Sequence, residues 1–426
     1  MFDLFYLLAL LFTAPFWIVA LLVSSRWRRH LGERLGDVSR RVGEKNCLWV
    51  HGASVGEILL AKGFIAAWRK AHPDWDVVVS AFTPTGREIA NKNFGDLAVI
   101  QWPLDLSWCV ARALRRIRPT AVALIELEVW PNFVRACRRR GVPVVVINGR
   151  ISARSARRYA KLPISGAFRS VTRFLAQNEE YAARAKAAGF EPDRVSVTGN
   201  MKLDGLPEAP TAEVKAALAT KLGIAPDAPI LVGGSTHDPE ERILLHAFEE
   251  LRATRPELRL VLVPRHPERG PDVATIAAEA GFETIRKTEI DGLKSPPADA
   301  VVVVDTVGDL RTLWGLATVA YVGGSLTSRG GQNIMEPAAM GKPVVFGPHM
   351  ENFREAEALL KSSEACAQVP DDKSLLPALE KLFRDSPSAS AMGERARAAL
   401  QGKSGATARN IAAIEGVLQG RPAVSD

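Results

Sequence analysis

The sequence predicts an α/β protein of two doubly wound, Rossmann-like domains facing a cleft, preceded by a membrane anchor helix. Three observations predict it. Short β-branched apolar runs alternate with helical patterns through both halves, as in parallel sheets with helical crossovers. The chain has 426 residues, too many for one ordinary core. An uncharged apolar stretch opens the sequence.

The opening stretch comes first. From Leu4 to Val23 no residue is charged, and the run is about long enough to cross a ~30 Å hydrocarbon core. Pro15 interrupts it, which a membrane helix tolerates. Arg26, Arg28 and Arg29 follow the run, the reverse of a cleaved signal peptide. By the positive-inside rule the remainder stays cytoplasmic. The expectation is an anchor over 1–25, with a segment lying in the membrane plane as the alternative.

The strands of the first half are expected in "CLWVH", "DVVVSAF", "LAVIQWP", "TAVALIE", "VPVVVING" and "FLAQN". Those of the second half lie in "PILVGGS", "LRLVLVPRH", "AVVVVD", "VAYVGGS" and "KPVVFG". Between them the chain turns polar and Pro-rich near 204–211, which reads as a linker. The expected domains are therefore 26–205 and 206–426, with the final helix free to pack back on the first domain.

Charge and cysteines narrow the function class. Residues 1–205 hold 31 Lys and Arg against 17 Asp and Glu, whereas the remainder is net acidic. The excess lies in 112–119, 135–141 and 150–161, read either as solvated helix faces or as a surface for anionic headgroups or a phosphorylated acceptor. No aromatic-basic interleaving points to nucleic acid. Cys47, Cys109, Cys137 and Cys366 lie far apart, so neither a zinc site nor a disulfide framework is expected.

Several turns carry chemistry. In "HGASVGE" a strand runs into a small-residue turn and a helix, and Glu57 stands where a phosphate loop would avoid an acid. Ser54-x-x-Glu57 fits a capping box, in which Glu57 reaches back to the Ser54 N–H; the other reading is a general base. "ELEVWPN" places Glu126 and Glu128 on one strand face, closed by Trp130 and Pro131. In "GGSTHDPEE", Asp238, Pro239 and Glu241 mark a helix start, with Ser235 and Thr236 at the strand end. Arg265 and His266 end another strand, at the edge where α/β sheets bind ligands, and Arg suits a phosphate or carboxylate. Four glycines between 323 and 331 would let backbone N–H groups approach an anion, helped by a helix beginning near Asn333. Lys202 in "GNMKLD" falls near the domain boundary.

Together with "TPTGRE", "PLD", "NGRISARS", "PRHPER", "DTVGDL" and "GGQNIMEPAAMGKPVVFGP", these motifs follow one another along nearly the whole chain. In that order the series resembles bacterial 3-deoxy-D-manno-octulosonic acid (Kdo) transferases, which add Kdo to the lipid A precursor. Two departures stand out: Asp309 where the family usually has Glu, and Ile334 where it usually has Pro.

The resemblance implies a GT-B glycosyltransferase of the bacterial inner membrane, inverting, with CMP-Kdo as donor and no metal or other cofactor. It implies Glu57 as the base. Arg87, Arg150, Arg154, Glu126 and Glu128 would then face the lipid A precursor. Lys202, Ser235, Thr236, Arg265, His266, Gly308, Asp309, Leu310, Gly331, Gln332, Asn333 and Glu336 would hold the donor. Other classes remain open: another GT-B enzyme of lipid A or sugar-nucleotide metabolism, or a tethered nucleotide-sugar binder without turnover.

Overall fold

Runs of Val, Ile and Leu buried on both faces become parallel strands here, and the described residues form seven in each of two sheets. The structure is a computed structural model that describes residues 2–14, 23, 30–161, 165–225, 227–290 and 297–420. The chain divides into one unit of Met1–Gly205 with Ser404–Asp426 and a second of Leu206–Lys403.

The first unit holds β1 (Cys47–Gly52), β2 (Asp76–Ala81), β3 (Ala98–Gln101), β4 (Ala121–Ile125), β5 (Val144–Gly149), β6 (Arg173–Ala176) and β7 (Val195–Val197). Their order is β3-β2-β1-β4-β5-β6-β7, every pair parallel. Residues of β1 alternate between two cores: Cys47 and Trp49 join Trp102 and Phe133, while Leu48 and Val50 join Ile58 and Phe64. The strand order reverses between β1 and β4, which opens a crevice beyond their carboxyl ends.

The final helix, Ala406–Leu418, packs back on this unit, the arrangement the sequence left open, and the second unit ends at Lys403. Ile411 and Ile414 bury against the same core as Leu48 and Val50. Asp204 accepts from the N–H groups of Gly405, Ala406 and Thr407 and so caps the helix from across the fold.

The second unit holds β8 (Ile230–Thr236), β9 (Arg259–Pro264), β10 (Thr284–Arg286), β11 (Val301–Val303), β12 (Val319–Val322), β13 (Val344–Phe346) and β14 (Ala367–Gln368). They run in the order β10-β11-β9-β8-β12-β13-β14, with the reversal between β8 and β12. Glycine is required inside β8: a Cβ on Gly234 would stand 2.3 Å from Trp314 Cη2.

At the N-terminus the described helix is Phe2–Phe12. Among the described residues no helix is long and apolar enough to cross a membrane, so the crossing helix expected over 1–25 is not found there. Residues 15–22 and 24–29 of that expectation lie outside the described residues.

Candidate functional site

Both units place their chemistry at the carboxyl edge of the sheet, beside the point where the strand order reverses. In the first unit, β1 delivers Glu57 and β4 delivers Glu126 and Glu128.

Glu57 sits in the first turn of the helix Val55–Ala71, whose cap is Ser54. Ser54 Oγ accepts from the Glu57 N–H at 3.4 Å and donates to Glu57 Oε1 at 2.9 Å. Oε2 accepts from the Ala53 N–H at 2.7 Å, one residue earlier than the capping-box expectation, because the turn aims Ala53 rather than Ser54 at the carboxylate. Burial pushes the Glu57 carboxyl up to about 7, and the charges of Glu128 and Glu126 add to it, against the two hydrogen bonds. A cap does not need that value, but a proton acceptor working near neutral pH does.

The expectation that Glu126 and Glu128 share a strand face is corrected. β4 ends at Ile125, and Glu126 takes the left-handed conformation at φ 59°, so the two acids lie on the turn. Glu128 Oε2 accepts from Trp130 Nε1 at 3.1 Å and lies 3.8 Å from His51 Nε2. His51 is fully buried, stacked on Trp102 at 3.7 Å, with Nδ1 3.0 Å from Ser80 Oγ and 3.1 Å from Ser80 O. Burial holds its pKa below the usual histidine value, so the ring is neutral. Left-handed non-glycine residues end β5 (Asn148) and β8 (Ser235) as well, which marks the edges of both sheets as strained.

Arg87 is not where an acceptor contact requires it. Its buried guanidinium donates to both oxygens of Glu33 and to Val99 O at 3.2 Å, because the helix Pro84–Asn93 turns it inward toward β3. Arg150 and Arg154 are exposed at the end of β5 and in the helix Ala153–Lys161. Lys202 is exposed in the short turn Met201–Leu203, beside the Asp204 cap.

In the second unit, β8 ends in Ser235 and the buried Thr236, and β9 ends before the exposed Arg265 and His266. The Arg265 N–H donates to Thr236 O at 3.0 Å, which ties the two strand ends together. His237, buried, sits 5.8 Å from His266 ring to ring and 3.5 Å from Gln332 Nε2. Burial holds its pKa low, and the nearby charges of Arg329 and His266 act in the same direction. Asn333 Oδ1 accepts from the Met335 N–H, and Glu336 lies 3.9 Å from Arg311. Thr236 Oγ1 is buried without a hydrogen-bond partner.

Two expectations change here. The helix is Glu240–Arg252, and the acid closing its first turn is Glu240, not Glu241; Glu241 instead pairs with Arg269 at 2.7 Å. The glycine loop does not offer its first N–H groups to a ligand. Those of Gly324, Ser325 and Leu326 donate to Glu240, which also accepts from Tyr321 Oη and the His237 N–H. A carboxylate of this chain fills the anion position, and in the later part of the loop the Gly331 N–H is engaged as well, by Gly324 O at 2.8 Å. Asp309 is engaged too, by Lys287 at 2.9 Å and by Thr306, beside the exposed Gly308 and the half-buried Leu310.

The family model described as 3-deoxy-D-manno-octulosonic-acid transferase matches residues 29–205. A 3-deoxy-D-manno-octulosonic acid transferase of Haemophilus influenzae is 31% identical over 93% of this chain and 93% of its own. One of Bordetella pertussis is 33% identical over 96% of this chain and 98% of its own. The chain belongs to the Kdo transferase family. A solved glycosyltransferase from Rickettsia africae matches the fold with a TM-score of 0.58 over 88% of this chain and 99% of that one, at 14% identity.

The transferase thus keeps Glu57, Glu126 and Glu128 together at one sheet edge, and Ser235, Thr236, Arg265, His266 and Gln332 at the other. Among the described residues no group of three or more His, Cys, Asp and Glu comes together to hold a metal. Sequence reasoning passed over His51, His237 and Glu240. Each had a signal: His51 interrupts an otherwise apolar strand, and His237 and Glu240 stand in the same strand-to-helix turn as Ser235.

Proposed function

We propose that this Kdo transferase moves Kdo from CMP-Kdo to a hydroxyl of the lipid A precursor, with inversion, and that Glu57 takes the proton. The observation that carries the reading is the Glu57 carboxyl, fixed by Ala53 and Ser54 yet poised at about 7. The base is the first unit's contribution, and the exposed Arg150 and Arg154 supply cations for a phosphorylated acceptor. In the second unit Arg265 and His266, with the loop from Gly330 to Asn333, suit the donor's carboxylate and phosphate. Departure of CMP then relies on cations and N–H groups that stabilise its phosphate. The enzyme works at the cytoplasmic face of the bacterial inner membrane, where its apolar N-terminus keeps it beside a lipid substrate.

Purified protein incubated with CMP-Kdo and lipid A precursor, with the lipid weighed by mass spectrometry, tests this. A product heavier by one or more Kdo residues is expected. CMP release with no gain in lipid mass would contradict it.

A further inference from the structure

A single helix crossing the membrane would carry the first residues of the chain to the far side, away from the domain. The described residues place them on the domain. Asp3 accepts from the N–H of Ser107 at 2.9 Å and from its hydroxyl at 2.5 Å, which caps the helix Ser107–Ile117 where that helix lacks a cap of its own. Asn132 Nδ2 donates to Asp3 at 2.8 Å, and Tyr6 Oη donates to the buried Asp105 at 3.0 Å. The Arg135 guanidinium lies over the Phe2 ring at 4.6 Å.

The chain that follows the apolar run is held on the same surface. The Leu104 N–H donates to Arg34 O at 2.7 Å, one residue before the aspartate that holds Tyr6. Asp37 pairs with Arg112 at 2.9 Å and Arg116 at 2.6 Å, on the very helix that Asp3 caps. That helix has 11 residues, a length of roughly 16 Å. The hydrocarbon core is about 30 Å thick. The chain before the run, at Asp3, and the chain after it, at Arg34 and Asp37, therefore meet the domain within a distance shorter than a bilayer.

The helix Phe2–Phe12 turns its remaining surface outward. Leu4, Leu7, Leu8, Leu11 and Phe12 are 64, 53, 57, 73 and 93% exposed, at the i, i+3, i+4, i+7, i+8 spacing of one face. Phe2, Asp3 and Tyr6 lie on the opposite face. Beside the docked end, a hollow is rimmed by the half-exposed Trp108 and by Arg135, Arg139 and Arg140. An apolar stripe flanked by tryptophan and arginines fits the acyl and headgroup layers of an anionic leaflet.

We propose that the N-terminal helix lies in one leaflet of an anionic phospholipid membrane, with the segments before and after the apolar run both on the face that carries the domain. The docking at Asp3 and Tyr6 fixes the tilt of the first unit on the bilayer, so its sheet edge meets lipid-borne hydroxyls at a set height. Asp3 and Tyr6 are then positioning residues and take no part in the chemistry.

The test is made on the full chain in native membranes. Asp3→Cys with Ser107→Cys should form a disulfide on mild oxidation, read as a joined peptide by mass spectrometry, in protein that still transfers Kdo. An active double variant that yields no joined peptide would overturn the proposal. Should the double variant fail to fold, a protease site placed ahead of Phe2 decides instead. Cleavage in inverted vesicles but not in intact spheroplasts is expected, and the reverse overturns it. On lipid vesicles, Arg139→Glu with Arg140→Glu should abolish the gain in binding that anionic lipid gives over zwitterionic lipid. An unchanged gain would remove the anionic leaflet as the partner.

Discussion

Glu57 and Ser54 hold each other in both directions: the serine oxygen accepts the Glu57 N–H and its proton goes to Glu57 Oε1. The same carboxyl, buried beside Glu128 and Glu126, has a pKa near 7. Capping and proton transfer are thus compatible, and substitution separates them. Glu57→Gln keeps the cap and loses the base. Its melting temperature should stay near that of the parent while turnover falls roughly 10²–10⁴-fold. Near-normal turnover would move the base to Glu126 or Glu128.

The pH dependence has a definite sign. As a base Glu57 must be ionised, so kcat/KM should rise with pH and level off above about 7. The folded pKa lies above the ordinary value of 4.5. The stability this gives is complete below the ordinary value and is lost as pH rises through about 7. Glu57→Gln should flatten the fall in melting temperature across that window. An equal fall in both proteins would count against the assignment.

Arg87 should behave as a structural residue. Replacing it with Met leaves the half-buried Glu33 without this cation and should cost about 1.5–3 kcal/mol, the range for hydrogen bonds to a charged group. Adding Glu33→Gln should restore part of that loss. Discrimination between phosphorylated and phosphate-free acceptors should be the same in the folded Arg87→Met protein as in the parent. A selective loss on the phosphorylated acceptor would return Arg87 to the binding surface.

Glu240 sets the shape of the glycine loop. Glu240→Ala leaves the N–H groups of Gly324, Ser325 and Leu326 and the Tyr321 hydroxyl without their acceptor. Denaturant unfolding should show a loss of about 3–5 kcal/mol, and the folded fraction should bind CMP-Kdo more weakly. Unchanged unfolding would mean that water replaces the carboxylate.

Arg265→Lys keeps the charge at the end of β9 but removes the planar fork. Use of CMP-Kdo should fall tenfold or more, given ~1.5–3 kcal/mol for charge-assisted bonds. Equal donor KM and kcat in the two proteins would exclude a contact.

How much of this the sequence determined by itself follows the physics of burial. Strands such as β1, β5 and β8, buried on both faces, begin with a continuous apolar run, and pattern alone located them. The order of motifs likewise gave the family, and with it Glu57. Pattern missed β7, β10 and β14, three of the four edge strands, and found the fourth, β3. With a neighbour on one side only, the missed three are short and half-buried and need no apolar run. Tertiary structure alone decided the partners of charged groups, because a carboxylate such as Glu240 or a guanidinium such as Arg87 finds its partner across many residues of chain. It also decided that the last helix returns to the first unit, since an amphipathic helix shows which face is apolar but not which sheet will cover it. The same holds at the N-terminus. Composition measures the length of an apolar run, and only the contacts of Asp3 and Tyr6 reveal that its start is fastened to the domain.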